Sequence, residues 1–426
     1  MYIALLFASF FVFLAMGVPV AVALGGSSLI YVLASGSVPD FVVLHRMVNG
    51  IDSFPLLAIP FFILAGNLMN SAGITNRIFA FARAMVGWMR GGLGHVNVGA
   101  SVVFAGMSGA AVADAGGLGT IEVKAMRDAG YDRGFAVGVT AASSTIGPII
   151  PPSLPMVIYG VMASASIGQL FAAGFIPGLL MAVSLMVMIA WYARVRNYPR
   201  DAAFDLCVLW RAFQGAFLSL MTPIIIVGGI LSGMVTPTEA AIAAVFWALI
   251  LGVVVYRTLN FSRLVRVSIE TIETTASILL IVAAASIFAW ILTSNRVTEH
   301  FADFILTLSD NPIIILLLLN LIILIAGCFL ETIAAITILV PVLLPVAVKL
   351  GVDPVHFGVI MVLNLMIGLL TPPIGMVLYV LAKVTNTPFE VCVRSTMPFL
   401  VPLVVVLMLV TFFPAISMWL PTLVYR

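Results

Sequence analysis

Long apolar stretches separated by short polar segments recur along the whole chain. Ten of them approach or exceed the roughly 20 residues that a helix needs to cross a bilayer. They are residues 2–16, 18–34, 54–71, 135–163, 169–193, 215–232, 237–256, 274–294, 355–382 and 396–424. The pattern predicts an all-α polytopic membrane protein with ten spans.

Two further apolar segments are interrupted too early to cross. Residues 96–105 provide ten residues, about 15 Å of helix, before a glycine-rich stretch that predicts a turn over 106–119. The segment after Pro312 is interrupted at Gly327–Glu331. Both patterns are typical of re-entrant helical hairpins, whose tips need a covering of protein or water at membrane depth. We predict hairpin 1 over about 95–128 and hairpin 2 over about 312–348.

The breaks in the apolar pattern recur at a constant offset of 221 residues. Six residues of the first half find an identical residue at that offset in the second: Gly106, Gly130, Asp132, Gly147, Pro151 and Pro152 match Gly327, Gly351, Asp353, Gly368, Pro372 and Pro373. Duplicated helix breaks in an apolar chain are typical of secondary transporters. Residues 1–213 and 214–426 are therefore predicted as two repeats of five spans, each with one hairpin and one broken helix. An odd number of spans inverts the second copy.

Composition supports the same class. The chain is 63% hydrophobic and 8% charged, with a mean hydropathy of +1.23, whereas about a quarter of residues in soluble domains are charged. The N-terminus lacks a basic region, so the first stretch is predicted as a retained span and not as a cleaved signal. The net charge of +2 gives no indication of nucleic acid, and the three cysteines show no metal-binding spacing.

Charge placement predicts the orientation. We assign the loops after spans 1, 3, 5, 7 and 9 and the flanks of hairpin 1 to the cytoplasm. That side then holds 15 of the 19 lysines and arginines, all except Arg46, Arg296, Lys349 and Arg426. The positive-inside rule then places both termini in the periplasm. Hairpin 1 would open from the cytoplasm and hairpin 2 from the outer side.

Two acids, Asp114 and Glu331, are predicted at bilayer depth. An ionisable group there is a functional candidate because it is costly to bury; the alternative is that each carboxylate caps N–H groups of its own hairpin turn. Glu239 differs, since Thr236-Pro-Thr-Glu239 has the pattern of a capping box at a helix start. Residues 75–92 and 259–273 are predicted as amphipathic interfacial helices or ordinary interfacial loops.

The helix breaks are rich in small oxygen-bearing residues. Where a helix is interrupted, backbone carbonyls without a helical partner and side-chain hydroxyls can replace the hydration shell of Na⁺. The N-terminus of the helix that follows the break attracts anions. Because no lysine or arginine falls inside a predicted span, an anionic substrate would depend on co-bound cations, which predicts sodium coupling. The four histidines, His45, His95, His300 and His356, are predicted at the interface and weaken a proton-coupled scheme.

Four segments carry a family resemblance: Gly106–Thr120, Ile149–Ser153, Val235–Ala241 and Leu370–Gly375. Together they closely resemble the large membrane subunit of tripartite ATP-independent periplasmic (TRAP) transporters. The resemblance implies an elevator-type fold related to divalent-anion sodium symporters. It further implies a transport domain of about 95–163 plus 312–382 with the remainder as scaffold, and a bacterial inner-membrane location. Its implied partners are a small four-helix membrane subunit, expected as a separate chain, and a periplasmic solute receptor that delivers a carboxylate-bearing substrate.

Candidate site residues follow from the resemblance and the chemistry of the breaks, with Na⁺ as coupling ion and no other cofactor. The candidates for substrate binding are Ser108, Gly109, Ser143, Ser144, Thr145, Pro151, Pro152, Thr332, Asn364, Thr371 and Pro372. The candidates for sodium binding are Ser108, Gly109, Asp114, Gly147, Glu331, Thr332, Gly368 and Thr371.

Three other functions stay open at this point. A receptor-independent divalent-anion sodium symporter would share the same broken helices. An intramembrane serine protease is suggested by the string Gly106-Met-Ser108-Gly, although short strings recur by chance and the later histidines are predicted on the opposite side. A channel is the third alternative, but the sequence contains no motif typical of an ion-selectivity filter. The expected substrates are sialic acids, other sugar acids and C4-dicarboxylates. The sequence of hairpin 1 most resembles that of TRAP transporters for sugar acids and sialic acids.

Overall fold

The computed structural model describes residues 2–36, 38–201 and 203–425, and the side chain of Ser108 lies outside the described part. The predicted positions of the two termini, Met1 and Arg426, also lie outside it. The helices of the first half are α1 (Tyr2–Ala15), α2 (Val20–Ser35), α3 (Phe41–Ile51), α4 (Ala58–Ser71), α5 (Ile74–Val86), α6 (Gly92–Ser108), α7 (Ala111–Asp128), α8 (Arg133–Ser144), α9 (Leu154–Ala163) and α10 (Ile167–Val195).

The second half is helical in the same way. Its helices are α11 (Leu206–Pro223), α12 (Gly229–Leu231), α13 (Pro237–Leu249), α14 (Phe261–Ser294), α15 (Val297–Thr307), α16 (Pro312–Phe329), α17 (Thr332–Lys349), α18 (Pro354–Gly368), α19 (Met376–Thr385), α20 (Phe389–Phe412) and α21 (Ala415–Val424). Short π-helical turns extend α11 and α13 into the continuous runs Leu206–Leu231 and Pro237–Val255.

The polytopic membrane architecture is confirmed. Eight helical segments of the described chain are long and apolar enough to cross a membrane. Six of them correspond to predicted spans 3, 5, 6, 7, 8 and 10, and the other two are α16 and α17, the arms of hairpin 2. Predicted spans 1 and 2 form apolar helices of 14 and 16 residues. Predicted spans 4 and 9 are interrupted near their middles, as α8 with α9 and α18 with α19.

The predicted turn over 106–119 is wrong. Only Gly109 and Ala110 separate α6 from α7, and the glycines that follow are helical. Their low helix propensity is overridden by packing, because a glycine lets two backbones approach closely. A Cβ atom on Gly119 would stand 2.8 Å from Cγ2 of Thr140 on α8. The glycines of this segment therefore serve the packing of α7 on its neighbours.

Three further boundaries differ from prediction. Residues 259–273 do not form a separate interfacial helix, since α14 runs through them for 34 residues, about 51 Å. Predicted span 10 is two helices, α20 and α21, divided at Phe413–Pro414, where proline removes an N–H donor and disfavours helix in the preceding residue. The helix of predicted span 6 begins at Leu206, so Arg211 lies within it. The predicted amphipathic helix over 75–92 is present as the shorter α5.

The centre of the molecule is built from two hairpins and two broken helices. We call α6–α7 hairpin 1, α16–α17 hairpin 2, α8–α9 the first broken helix and α18–α19 the second. Hairpin 1 packs through α7 on both α8 and α19, and hairpin 2 packs through α17 on both α9 and α18. Each hairpin therefore contacts both broken helices. Most buried apolar side chains of hairpin 2 and of the broken helices belong to one core, whereas those of hairpin 1 are divided between that core and a second one formed with α4 and α5.

Equivalent positions of the two halves build equivalent helix starts. Asp132 is the N-cap of α8 and accepts a hydrogen bond from the Phe135 N–H at 3.1 Å. Asp353, 221 positions later, is the N-cap of α18 and accepts from the Val355 N–H at 2.7 Å. The predicted capping box of Thr236 and Glu239 is also confirmed, with both of its reciprocal hydrogen bonds present.

Two of the four histidines that were predicted at the interface are buried inside the protein. His95 and His356 are buried, because neighbouring helices cover the helix turns that carry them. Nδ1 of His356 lies 2.6 Å from the Ser417 hydroxyl on α21. Both ring nitrogens of His95 lack a hydrogen-bond partner among the described residues. Position near a helix end was therefore a poor guide to exposure.

Candidate functional site

The first broken helix is interrupted between Ser144 and Leu154 and is buried throughout its break. Hydroxyls at the end of α8 turn back onto their own helix: Ser144 donates to the Ala141 carbonyl at 2.8 Å, and Thr145 donates to that of Ala142 at 2.6 Å. Gly147 and the cis-linked pair Pro151-Pro152 lie inside the same break. The hydroxyls of Ser144 and Thr145 thus lie where α8 ends, each bonded to a carbonyl of that helix.

The tip of hairpin 1 contacts this break. Gly109 adopts a φ of +60°, a left-handed conformation that favours glycine. A Cβ atom there would stand 2.6 Å from the carbonyl oxygen of Pro152. The structure thus brings together two predicted candidates from separate segments. The third candidate at this tip, the side chain of Ser108, lies outside the described residues.

A buried asparagine ties hairpin 1 to the first broken helix. Asn97 on α6 donates from Nδ2 to the Thr140 hydroxyl at 2.6 Å, and its Oδ1 accepts from the Ser143 hydroxyl at 2.5 Å. All three side chains are buried. Ser143, a predicted substrate ligand, is therefore engaged by the hairpin in this conformation.

The second half has a similar asparagine link. Asn364 on α18, which is 221 positions after Ser143, donates from Nδ2 to both the backbone and side-chain oxygens of Asn320 at 2.8 and 2.9 Å. Asn320 lies on α16, the first arm of hairpin 2. In each half of the chain, a buried asparagine on the hairpin is thus hydrogen-bonded to the helix that precedes the break, α8 or α18. Neither Asn97 nor Asn320 was among the predicted residues, although each is an isolated amide in an apolar segment.

We expect Asn97→Ala to lower the free energy of unfolding by about 1–3 kcal/mol, the usual effect of losing buried hydrogen bonds. Thr140 and Ser143 keep hydrogen bonds to carbonyls of their own helix, so no hydroxyl is left without a partner. Thermal unfolding of the purified protein measures the effect. The exposed Asn49, whose amide Nδ2 lies 3.1 Å from Nε2 of His45, supplies the matched control Asn49→Ala. Equal melting temperatures for the two variants would contradict the proposed contribution of the link.

Hairpin 2 approaches the second break through two glycines. A Cβ atom on Gly368, at the end of α18, would stand 2.6 Å from the carbonyl carbon of Gly327 on α16. Thr371, in the break itself, donates to the Ile367 carbonyl at 2.8 Å. Pro372 is half-buried and Pro373 is exposed. The second break is therefore partly open, whereas the first is closed.

The two predicted acids have different surroundings. Glu331 is the N-cap of α17, and its Oε2 accepts from the Ile333 N–H at 2.9 Å and the Ala334 N–H at 3.3 Å. Thr332, buried beside it, begins the helix. Asp114 lies in the first turn of α7 and is 2% exposed, yet neither of its carboxylate oxygens has a hydrogen-bond partner in the described structure. The capping alternative therefore describes Glu331 and not Asp114.

Ser101 is the side chain beside Asp114. Its hydroxyl, on α6, is close enough to act on the carboxyl group but does not form a hydrogen bond of good geometry with it. Within the described residues no lysine or arginine is buried. A carboxylate in this position therefore has no protein counter-charge, and a bound cation is what would neutralise it.

A third buried acid, Glu122, was missed by sequence reasoning. It lies on α7, eight residues after Asp114, and is 2% exposed. The sequence places it near Lys124 and Arg127, which suggests a solvated cytoplasmic flank. Its position on the buried face of α7 appears only in the tertiary structure.

Comparison with known proteins identifies relatives over nearly the full length. The family profile described as tripartite ATP-independent periplasmic transporter, DctM component, matches residues 7–416. The sialic acid TRAP transporter large permease protein SiaM of Vibrio cholerae is 50% identical over 407 residues, covering 96% of this chain and 95% of that protein. The sialic acid TRAP transporter permease protein SiaT of Haemophilus influenzae is 43% identical, covering 99% of this chain and 68% of that protein.

A solved structure shares the fold. The crystal structure of the Alcanivorax borkumensis YdaH transporter, described as having an unusual topology, superimposes with a TM-score of 0.67 over 89% of each chain. The sequence identity is 13%, so the likeness concerns the fold alone.

Proposed function

This chain belongs to the DctM family of tripartite ATP-independent periplasmic transporters, and we propose that it performs sodium-coupled uptake of a small carboxylate-bearing solute. Members of the family are multi-pass permeases of the bacterial inner membrane and are not enzymes. They work with a small membrane subunit and a periplasmic binding protein. Membership of this family argues against an intramembrane protease.

The buried Asp114 carboxylate carries the proposal of sodium coupling. Both of its oxygens lack partners, and no buried lysine or arginine among the described residues offers a positive charge. Na⁺ prefers oxygen ligands of this kind. We propose that Asp114 binds Na⁺ directly or supports it, together with Ser108, Gly109 and Gly147 at the first break. The corresponding ligands at the second break would be Glu331, Thr332, Gly368 and Thr371.

A sialic or other sugar acid is the substrate class we propose, with a C4-dicarboxylate as the second candidate. Two relatives of this chain, 50% and 43% identical to it, are named for sialic acid. Helix N-termini and hydroxyls at the breaks would bind the carboxylate, since no cationic side chain is buried in the described structure. Proposed contacts are Ser143, Ser144, Thr145, Pro151 and Pro152 from the first break. Those from the second are Asn364, Thr371 and Pro372.

We further propose an elevator mechanism with inverted repeats. In it, residues 95–163 and 312–382 form a transport domain that moves against the remaining scaffold. The equivalent caps Asp132 and Asp353 and the two asparagine links support the repeat. One closed and one partly open break is the arrangement expected of alternating access. Hairpin 1 would face the cytoplasm, and both termini the periplasm.

Uptake by the reconstituted system tests the proposed function. With the small membrane subunit and the sialic-acid receptor present, uptake of labelled sialic acid should require a sodium gradient. Replacing sodium by choline at constant ionic strength should reduce uptake to the level of empty liposomes. Undiminished uptake in choline would refute sodium coupling.

Leaving out the receptor separates the two transporter alternatives. A tripartite system should lose uptake without it. A receptor-independent divalent-anion symporter would retain uptake from the same liposomes.

A further inference from the structure

Glu122 is a buried carboxyl group that the proposed sodium and substrate sites do not use. It occupies the buried face of α7 together with Leu118 and Met126. Its Oε1 is shielded from solvent and has no hydrogen-bond partner in the described structure. An ionised carboxylate buried to this degree loses most of its hydration, and at Oε1 no hydrogen bond from the described protein replaces it. Glu122 therefore needs a bound cation or a bound proton.

No side chain of the described residues forms an ion pair with Glu122. The ion pairs among the described residues join Arg83 to Asp201, Arg196 to Asp132 and Lys349 to Asp303. The helices packed against α7 contribute few titratable groups: His95 on α6, Arg133 on α8, and Tyr379 and Lys383 on α19. Arg133, Tyr379 and Lys383 are exposed, as are Lys124, Arg127 and Asp128 on α7 itself.

Glu122 is also too far from the proposed sodium site to share its ion. Eight residues of helix separate it from Asp114, which is about 12 Å along the axis, whereas oxygen ligands lie about 2–2.6 Å from a hard cation. Asp114 is nevertheless close enough to act on Glu122 electrostatically, and its charge has the same sign. That interaction opposes the ionisation of both groups together.

A polar cavity offers a route for protons. It has a volume of about 560 Å³ and lies between α7 and the end of α19. Thr120, Lys124, Arg127 and Thr385 line it, and so does Val123, the neighbour of Glu122 in sequence. The cavity thus reaches α7 at the residue that follows Glu122.

We propose that Glu122 is a proton-binding site of hairpin 1, distinct from the sodium site at Asp114. In the packed state its carboxyl group is neutral and carries the proton. When the pH rises, the O–H bond breaks, the proton passes to water of the cavity, and a carboxylate is left on α7. Hairpin 1 then loosens from α8 and transport slows. The effect on transport rests on the proposed function; the protonation itself does not.

Infrared spectroscopy of the purified permease with its small subunit tests the protonation directly. At neutral pH the C=O band of a protonated carboxylic acid should be present in the wild-type protein and weaker in Glu122→Gln. The matched control Glu239→Gln, at an exposed capping position, should leave the band unchanged. A Glu122→Gln spectrum identical to wild type in this region would overturn the proposal, whatever the outcome of any transport assay.

The pH dependence of uptake tests the consequence. Glu122→Gln mimics the protonated group, so its uptake near neutral pH should equal that of wild type. Above the pH of proton release, the ratio of variant to wild-type uptake should rise about tenfold per pH unit, the slope of a single protonation. The same receptor serves both proteins, so its own pH dependence cancels in the ratio. A ratio that stays constant while wild-type uptake falls would overturn the proposed role of Glu122.

Discussion

Replacing Asp114 by asparagine is expected to remove most sodium-dependent uptake at limiting sodium while leaving the protein folded. Asparagine has nearly the same shape and can remain buried, but it carries no negative charge to attract Na⁺. The wild-type carboxylate has no hydrogen bond to lose, because both of its oxygens are without partners in the described structure. Neutralising it also removes the cost of burying a charge, so the thermal stability of the apo protein should be equal or higher.

The expected loss is a fall in apparent sodium affinity on the order of 10- to 100-fold, or about 1.4–2.7 kcal/mol. Sodium titrations of uptake in liposomes measure it, and sodium-dependent shifts in melting temperature measure binding without transport. Glu239→Gln is the matched control, because Glu239 is an acid that caps an exposed helix start. Wild-type sodium dependence in Asp114→Asn would exclude Asp114 from the cation site.

Gly368→Ala is expected to separate hairpin 2 from the second broken helix and to inactivate transport. The added methyl group would stand 2.6 Å from the carbonyl carbon of Gly327 and 2.7 Å from its Cα. Backbone atoms cannot turn aside as a flexible side chain can, so α16 and α18 must move apart. Overpacking of this kind typically costs about 1–3 kcal/mol. Because the displaced segment adjoins Thr371 and the second break, we expect uptake to fall more than about tenfold.

Gly228→Ala provides the control for this experiment. Gly228 is also helical and lies in an apolar segment, but nothing stands within 4 Å of its Cβ position. Its replacement should leave uptake unchanged and stabilise the helix slightly. Melting temperature and uptake of both variants, measured at equal amounts of reconstituted protein, decide the comparison. Equal uptake by both variants would show that the Gly327–Gly368 approach does not constrain transport.

Much of the architecture could be predicted from the sequence because apolar length and helix breakers act locally. The interruptions at Pro151-Pro152 and Pro372-Pro373, the two hairpins and the capping box at Thr236 all depend on neighbouring residues. Glycine was the main source of error. The residues 111–119 read as a turn by propensity, but their glycines let α7 pack closely on α8 and α19. Close packing outweighs propensity when a whole helix face is buried.

The candidate site was predicted in outline and not in detail. The offset of 221 residues located both breaks, but the asparagines that join them to the hairpins, Asn97 and Asn320, gave no periodic signal. From the sequence, Asp114 and Glu331 were equivalent candidates, because each is an acid predicted at bilayer depth in a hairpin. The structure separates them, because Glu331 precedes a helix whose free N–H groups it can reach, whereas Asp114 points from the first turn of α7 into the interior.

By itself, the sequence determined that the protein is a helical membrane permease with two interrupted helices, because burial in lipid requires long apolar segments and any break in them is visible. Only the tertiary structure decided which polar groups lie inside. Exposure depends on which helix faces meet, and that is set by contacts between distant residues. His95 and Glu122, both close to polar flanks in sequence, are buried for this reason. Glu122, the acid that sequence reasoning overlooked, is thus a buried group whose Oε1 has no hydrogen-bond partner in the described structure.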